Sequence, residues 1–156
     1  MIAEASRALP NETGGILLGY WSPKEDQVVI IVSTRPGPRA HHDLVKFVPD
    51  DEYQEHEIER VYAESGRRHV YLGDWHSHPD GEAALSRQDR KTLRAIAAHR
   101  AACLRHPLMG ILAGGRSWDL KIWKFVPPPF PALPFLARTA ALHVREYYEE
   151  DSGRIT

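Results

Sequence analysis

The chain has 156 residues, 42% of them hydrophobic and 26% charged, with a formal net charge of −1. This length and composition are ordinary for a single soluble globular domain, and the near-zero charge argues against nucleic acid or a membrane surface as a partner. A single cysteine excludes an internal disulfide framework. No apolar run reaches membrane-spanning length and the first residues do not resemble a signal peptide, so we expect a cytoplasmic protein.

The first half of the chain is predicted to form two helices and three strands. Pro10 ends the first helix, and Asp50 is the N-cap of the second, with acids in its first turn. The continuous apolar run Val28–Val32 predicts a strand that is buried on both faces. The predicted helices are residues 2–9 and 51–65, and the predicted strands are residues 14–21, 27–34 and 46–48.

The second half alternates strand and helix before a proline-rich segment. Strands are predicted at 69–75, 108–113 and 120–126, with a helix at 87–105 between the first two. Residues 127–134, PPPFPALP, predict a stiff connector, although a polyproline ligand for another protein is an alternative. We expect a C-terminal helix at 135–148 and one domain over 1–156, with its core at about 1–126.

Gly73 to Asp89, GDWHSHPDGEAALSRQD, contains the residues best suited to chemistry. Alternation along a strand turns His76 and His78 to the same side. Asp89 follows in the first turn of the next helix, where a carboxylate can face back toward the end of that strand. Two imidazoles and a carboxylate are ligands that a catalytic zinc site uses, with the fourth position left to water. Glu12, in a distant segment, is the candidate general base.

Each part of this pattern also has a simpler interpretation. Ser86 and Asp89 form a capping box of the kind found at many helix starts that have no catalytic role. Asp74 shares a strand face with His76 and could orient its imidazole, but a structural role is the alternative. His99, Cys103 and His106 follow helical spacing and could bind a second zinc, although no fourth ligand is evident.

The series His76-Ser77-His78-Pro79, then Ser86 and Asp89, resembles the JAMM/MPN zinc metallopeptidase signature H-x-H-P-x6-S-x2-D at every fixed position. The segment from Glu12 to Gly19, ETGGILLG, is similar to the family's upstream glutamate segment. The resemblance spans most of the chain, from about residue 12 to residue 120, and points to a bacterial deubiquitinase-like isopeptidase. It implies a cytidine-deaminase-like α/β fold, with a central mixed β-sheet flanked by helices.

The same resemblance implies one zinc ion on His76, His78 and Asp89. Glu12 would then be the general base, and Ser86 would assist at the carbonyl oxygen. The implied reaction is hydrolysis of a peptide or isopeptide bond after the C-terminal glycine of a ubiquitin-like protein. Two alternatives remain open from the sequence: a maturase that trims a ubiquitin-like sulfur carrier, and a non-enzymatic MPN interaction module.

Overall fold

The computed structural model describes residues 1–24, 27–130 and 136–146. The helices are α1 (Ile2–Ala8), α2 (Asp51–Glu64) and α3 (Arg87–Ala98), and α3 is followed by a 3-10 turn at Arg100–Ala102. The strands are β1 (Gly14–Trp21), β2 (Val28–Ser33), β3 (His41–His42), β4 (Phe47–Val48), β5 (Val70–Pro79), β6 (Leu108–Gly114), β7 (Trp118–Val126) and β8 (Arg138–Leu142). Within these ranges, none of the helices is both long and apolar enough to cross a bilayer.

Six strands form one mixed sheet in the order β2-β1-β5-β6-β7-β8. The β5–β6 pair is parallel, and α3 lies between these two strands in the chain, as a parallel crossover requires. The remaining neighbours in this sheet pair antiparallel. Strands β3 and β4 form a separate hairpin. The predicted α/β class, with a central mixed sheet flanked by helices, is confirmed.

The helices cover both faces of the sheet. Leu93 of α3 packs with Met109 and Ile111 of β6, and Val61 of α2 packs with Ile16 of β1. Ile111 pairs with His76, and Ile16 pairs with Asp74, which lies two residues before His76 on the same side of β5. Helices α2 and α3 therefore pack on the face to which the two histidines point. The opposite face is covered by α1, whose Ala5 lies in a cluster of large apolar side chains: Leu17, Leu72, Trp75, Leu108, Leu112 and Ile122.

The predicted C-terminal helix is wrong over the residues that can be described. Arg138–Leu142 is instead an antiparallel strand, β8, in register with Val126 to Ile122 of β7. The segment is rich in alanine and leucine, which favour helix locally. The free edge of β7 can form backbone hydrogen bonds along the whole segment. This pairing with a distant strand overrides the local helix propensity. Residues 143–146 of the predicted helix are neither helix nor strand. Residues 135, 147 and 148 of that helix, and residues 131–134 of the predicted connector, lie outside the described residues.

Two further sequence predictions are corrected. The strand Val28–Ser33 is not buried on both faces, because it is an edge strand of the sheet and Ile31 is 49% exposed. Helix α3 ends at Ala98 rather than near Arg105, because His99 adopts extended backbone angles. By contrast, Asp50 is the N-cap of α2 as predicted, and its carboxylate accepts a hydrogen bond from the backbone N–H of Tyr53.

Leu93 fixes α3 against the sheet, because its side chain is fully buried among apolar neighbours. We predict that Leu93→Ala lowers the free energy of unfolding by about 2–5 kcal/mol, the cost of an apolar cavity in a packed core. Chemical denaturation followed by circular dichroism measures this loss. Lys91→Ala, an exposed change on the same helix, is the control and should stay within about 0.5 kcal/mol of wild type. A loss below about 1 kcal/mol for Leu93→Ala would contradict this packing.

Candidate active site

His76 and His78 lie at the end of β5, where strand alternation turns both rings to the face covered by α3. Ser77, between them, points to the opposite face and is fully buried. After Pro79 the chain turns away through Asp80, whose φ of 57° lies in the left-handed region. The two imidazoles are thus held on regular strand backbone, while the residues beyond them are free to turn toward α3.

The carboxylate of Asp89 reaches the same point from the first turn of α3. Ser86 is the N-cap: its hydroxyl accepts from the Asp89 N–H at 3.1 Å, and its own N–H donates to Asp89 Oδ2 at 2.7 Å. The predicted capping box is therefore present in full. The capping box directs the Asp89 carboxylate back toward β5. The same side-chain geometry therefore fits both a helix cap and a metal ligand.

Three donor atoms converge at this point. The Nε2 atoms of His76 and His78 are 3.0 Å apart, and the Asp89 carboxylate oxygens lie 3.1 Å from the first and 3.6 Å from the second. The three side chains are 14%, 15% and 9% exposed, so they are shielded yet reachable from solvent. Among the described residues, this is the group of histidine, cysteine and acidic side chains found close enough together to hold a metal ion.

The hydrogen bonding of His78 supports its suitability as a metal ligand. Its Nδ1 lies 3.2 Å from the backbone carbonyl oxygen of Glu82. Because a carbonyl only accepts, Nδ1 must be the protonated nitrogen, and in the neutral ring this leaves the Nε2 lone pair free for a cation. No sequence signal indicates this role for Glu82, because a backbone carbonyl has no residue signature.

Glu12 joins the site from the segment before β1. Gly14 pairs with His76 in the antiparallel β1–β5 register, and continuing that register by two residues places Glu12 opposite His78. The Glu12 carboxylate is close enough to interact electrostatically with all three donor residues. Burial raises the pKa of Glu12, and attraction to the two imidazoles opposes that rise. The result is a partly desolvated carboxylate next to the donor group.

Asp89 has the opposite electrostatic balance. Its burial acts to raise the pKa, but the hydrogen bond and charge of His76, together with the hydrogen bonds of Ser86, hold the pKa of Asp89 below its ordinary value. Asp89 is therefore an anion throughout the neutral range, as an oxygen ligand must be.

The region from residue 1 to residue 125 matches the family model described as prokaryotic homologs of the JAB domain. The chain belongs to this family. It is 38% identical over 125 residues to a probable metalloprotease, y4qB, of Sinorhizobium fredii, a match that covers 79% of this chain and 76% of the relative. It is also 29% identical over 134 residues to a CD-NTase/cGAS isopeptidase of Enterobacter hormaechei, covering 82% of this chain and 69% of that protein.

A solved structure is similar to this JAB-domain protein in fold. The solution structure of DSY2949 from Desulfitobacterium hafniense matches with a TM-score of 0.55 at 20% identity, covering 99% of this chain and 92% of the other. The family match and the two named relatives confirm the predicted JAMM/MPN family and the predicted JAMM-type hydrolase. A non-enzymatic interaction module is not favoured by relatives named as a metalloprotease and an isopeptidase.

The contacts of Asp74 and of the His99, Cys103 and His106 group bear on two interpretations that the sequence left open in this JAB-domain protein. Asp74 accepts a hydrogen bond from the Tyr71 hydroxyl at 2.7 Å, which supports its structural role, and burial raises its pKa. The possible second zinc site has no support, because α3 ends before His99, Cys103 is exposed, and His106 Nδ1 contacts the Phe125 carbonyl oxygen.

Asp89 accepts a structural hydrogen bond from Ser86 and is also the candidate carboxylate ligand of a metal ion. One substitution separates these two roles. We predict that Asp89→Asn keeps an oxygen that accepts from the Ser86 N–H, so the metal-free variant should unfold near the wild-type temperature. Loss of the anion should weaken metal binding by more than the roughly 10- to 100-fold typical of an outer-shell change. Calorimetric zinc titration and thermal unfolding of the metal-free protein measure the two effects. Wild-type metal affinity in the variant would exclude Asp89 as a ligand.

Proposed function

We propose that this JAB-domain protein is a zinc-dependent hydrolase that cleaves a peptide or isopeptide bond after the C-terminal glycine of a ubiquitin-like protein. The main support is the position of Glu12, a partly buried carboxylate beside a convergent group of two imidazoles and one carboxylate. A relative named as an isopeptidase supports a protein substrate. The ubiquitin-like class rests on the resemblance of the His76–Asp89 motif to JAMM isopeptidases.

The donor group fits zinc. Two imidazole nitrogens and one carboxylate oxygen are the ligand types that catalytic zinc sites use, and a fourth position is left for water or substrate. We propose one zinc ion per chain, held by His76, His78 and Asp89. When bound, zinc would make water more acidic and polarise the scissile carbonyl.

Glu12 is the proposed general base. Its side chain would accept a proton from the attacking water and later deliver that proton to the leaving amine. Partial burial favours this exchange, because a desolvated carboxylate is a stronger base than one in bulk water. The electrostatic coupling of Glu12 to the three donor residues supports its closeness to the reacting water.

Ser86 is the proposed donor to the substrate carbonyl oxygen. Its hydroxyl accepts from the Asp89 N–H at 3.1 Å, and a hydroxyl that accepts still has its own proton to donate. A donor fixed at a helix start would stabilise the negative charge that develops on the carbonyl oxygen as water attacks. Capping and catalysis can thus use different atoms of one side chain.

The metal assignment can be tested by comparing two histidines. We predict that the wild-type protein binds one equivalent of zinc and that His78→Ala loses it, whereas His99→Ala keeps it, because His99 lies past the end of α3. Elemental analysis after dialysis against zinc-containing buffer measures the stoichiometry. Equal zinc contents in the two variants would contradict the assignment, and a wild-type value near two would support a second site.

The activity can be tested with a ubiquitin-like protein that carries either a C-terminal peptide extension or a lysine conjugate. We expect release at the terminal glycine, and mass spectrometry identifies the bond. The Glu12→Gln variant keeps the shape of the side chain but cannot take up the proton, so its turnover should fall by about 10²- to 10⁴-fold with zinc content unchanged.

The outcomes separate the proposed reaction from its alternatives. Cleavage of the extension alone would favour a maturase over an isopeptidase. Wild-type turnover in Glu12→Gln would reject Glu12 as the base. Failure of the zinc-loaded protein on both substrates would contradict the proposed substrate class.

A further inference from the structure

Glu12 lies outside the main sheet, and both of its backbone groups are bound by one separate element. Its N–H donates to the Asp43 carbonyl oxygen at 2.8 Å, and its carbonyl oxygen lies 2.9 Å from Nδ1 of His42. His42 ends β3, and Asp43 follows it in the β3–β4 hairpin. The backbone of the proposed base is therefore held on both sides by a hairpin that contributes no residue to the donor group.

The His42 contact has a defined direction. The carbonyl oxygen of Glu12 can only accept, so the proton of this hydrogen bond must be on Nδ1 of His42. The ring is half-buried and packs against Phe47, its register partner on β4, with 5.4 Å between the ring centroids. The His42 ring is thus held by its own backbone and by the neighbouring ring of Phe47.

The hairpin is itself fixed against the start of β1. A Cβ atom added to Gly14 would lie 2.8 Å from Cε1 of Phe47, so the aromatic ring lies directly over this glycine. The hairpin is closed by the Asp43 N–H donating to the Lys46 carbonyl oxygen at 2.9 Å. Residues 12 to 14 are therefore enclosed by the hairpin on one side and by β5 on the other.

We propose that His42 is a positioning residue that sets the location of the Glu12 carboxylate through the hydrogen bond from Nδ1 to the Glu12 carbonyl oxygen. The inference rests on the proposed role of Glu12 as the base. A proton acceptor must lie within hydrogen-bond reach of the water it activates, and displacement by about 1 Å can cost about 100-fold in rate. The hydrogen bond of His42 goes to Glu12 and its ring packs on Phe47, so we expect its effect to reach the reaction through Glu12.

Three substitutions at position 42 separate the hydrogen bond from the ring packing. His42→Phe keeps an aromatic ring against Phe47 and removes the donor, and His42→Ala removes both. His42→Asn removes the ring but places an amide N–H near the position of Nδ1. His41→Ala is the matched control, because His41 is the exposed neighbour on the same strand.

We expect kcat of His42→Ala and His42→Phe to fall by about 10- to 100-fold, with KM changed by less than about threefold. His42→Asn should recover most of the loss, and His41→Ala should match wild type. Zinc content should be unchanged in every variant. Wild-type kcat in His42→Phe, or no recovery in His42→Asn, would overturn the proposal in favour of a packing role.

A second measurement tests the contact without using activity. In the wild-type protein, long-range nitrogen–proton correlation should identify His42 as protonated on Nδ1. Amide exchange at Thr13, whose N–H shares a peptide unit with the Glu12 carbonyl, should accelerate in His42→Phe and recover in His42→Asn. If the wild type cleaves neither substrate but these changes are seen, the proposed function fails while the positioning of Glu12 stands. An Nε2-protonated ring, or unchanged exchange in His42→Phe, overturns the positioning role whatever the activity.

Discussion

The site depends on a reciprocal pair of hydrogen bonds between Thr13 and Ser77. The Ser77 N–H donates to the Thr13 carbonyl oxygen at 2.7 Å, and the Thr13 N–H donates to Ser77 Oγ at 3.0 Å. Both residues are fully buried, where an unpaired backbone group is costly. Ser77 lies between the two histidines and Thr13 follows Glu12. This pair therefore joins the segment that contains Glu12 to the strand that contains the two histidines. A one-residue slip in their pairing would turn Glu12 to the other face of the sheet.

A second constraint joins α3 to the same strand. The carboxylate of Asp89 uses one oxygen to accept from the Ser86 N–H and directs the other to His76. The Asp89 carboxylate and the two imidazoles converge on one point. A bound cation would interact favourably with all three, so metal affinity and the stability of this end of the fold are thermodynamically linked. The helix start is therefore part of the site and not merely its support.

Those parts of the site that are local in sequence were predictable. Alternation along β5 fixes the direction of His76 and His78, and the capping box fixes the direction of Asp89, because each depends on backbone geometry over a few residues. The prediction failed where pairing between distant segments decides the outcome. Arg138–Leu142 forms a strand despite good helix formers, because β7 needs a partner. The exposure of Ile31 follows from the edge position of β2, which its own apolar sequence does not encode.

Glu12 illustrates the same division within the site. Its residue type and following glycines made it a candidate, but its closeness to the ligands depends on the antiparallel register of β1 with β5 across more than sixty residues. The backbone contacts of Glu12 with His42 and Asp43 had no sequence signal, since they combine backbone groups with one ring at the end of a two-residue strand. A general base needs exact placement more than any particular neighbour. The residues that supply the placement are therefore dispersed along the chain, while those proposed to bind the metal lie within one short segment.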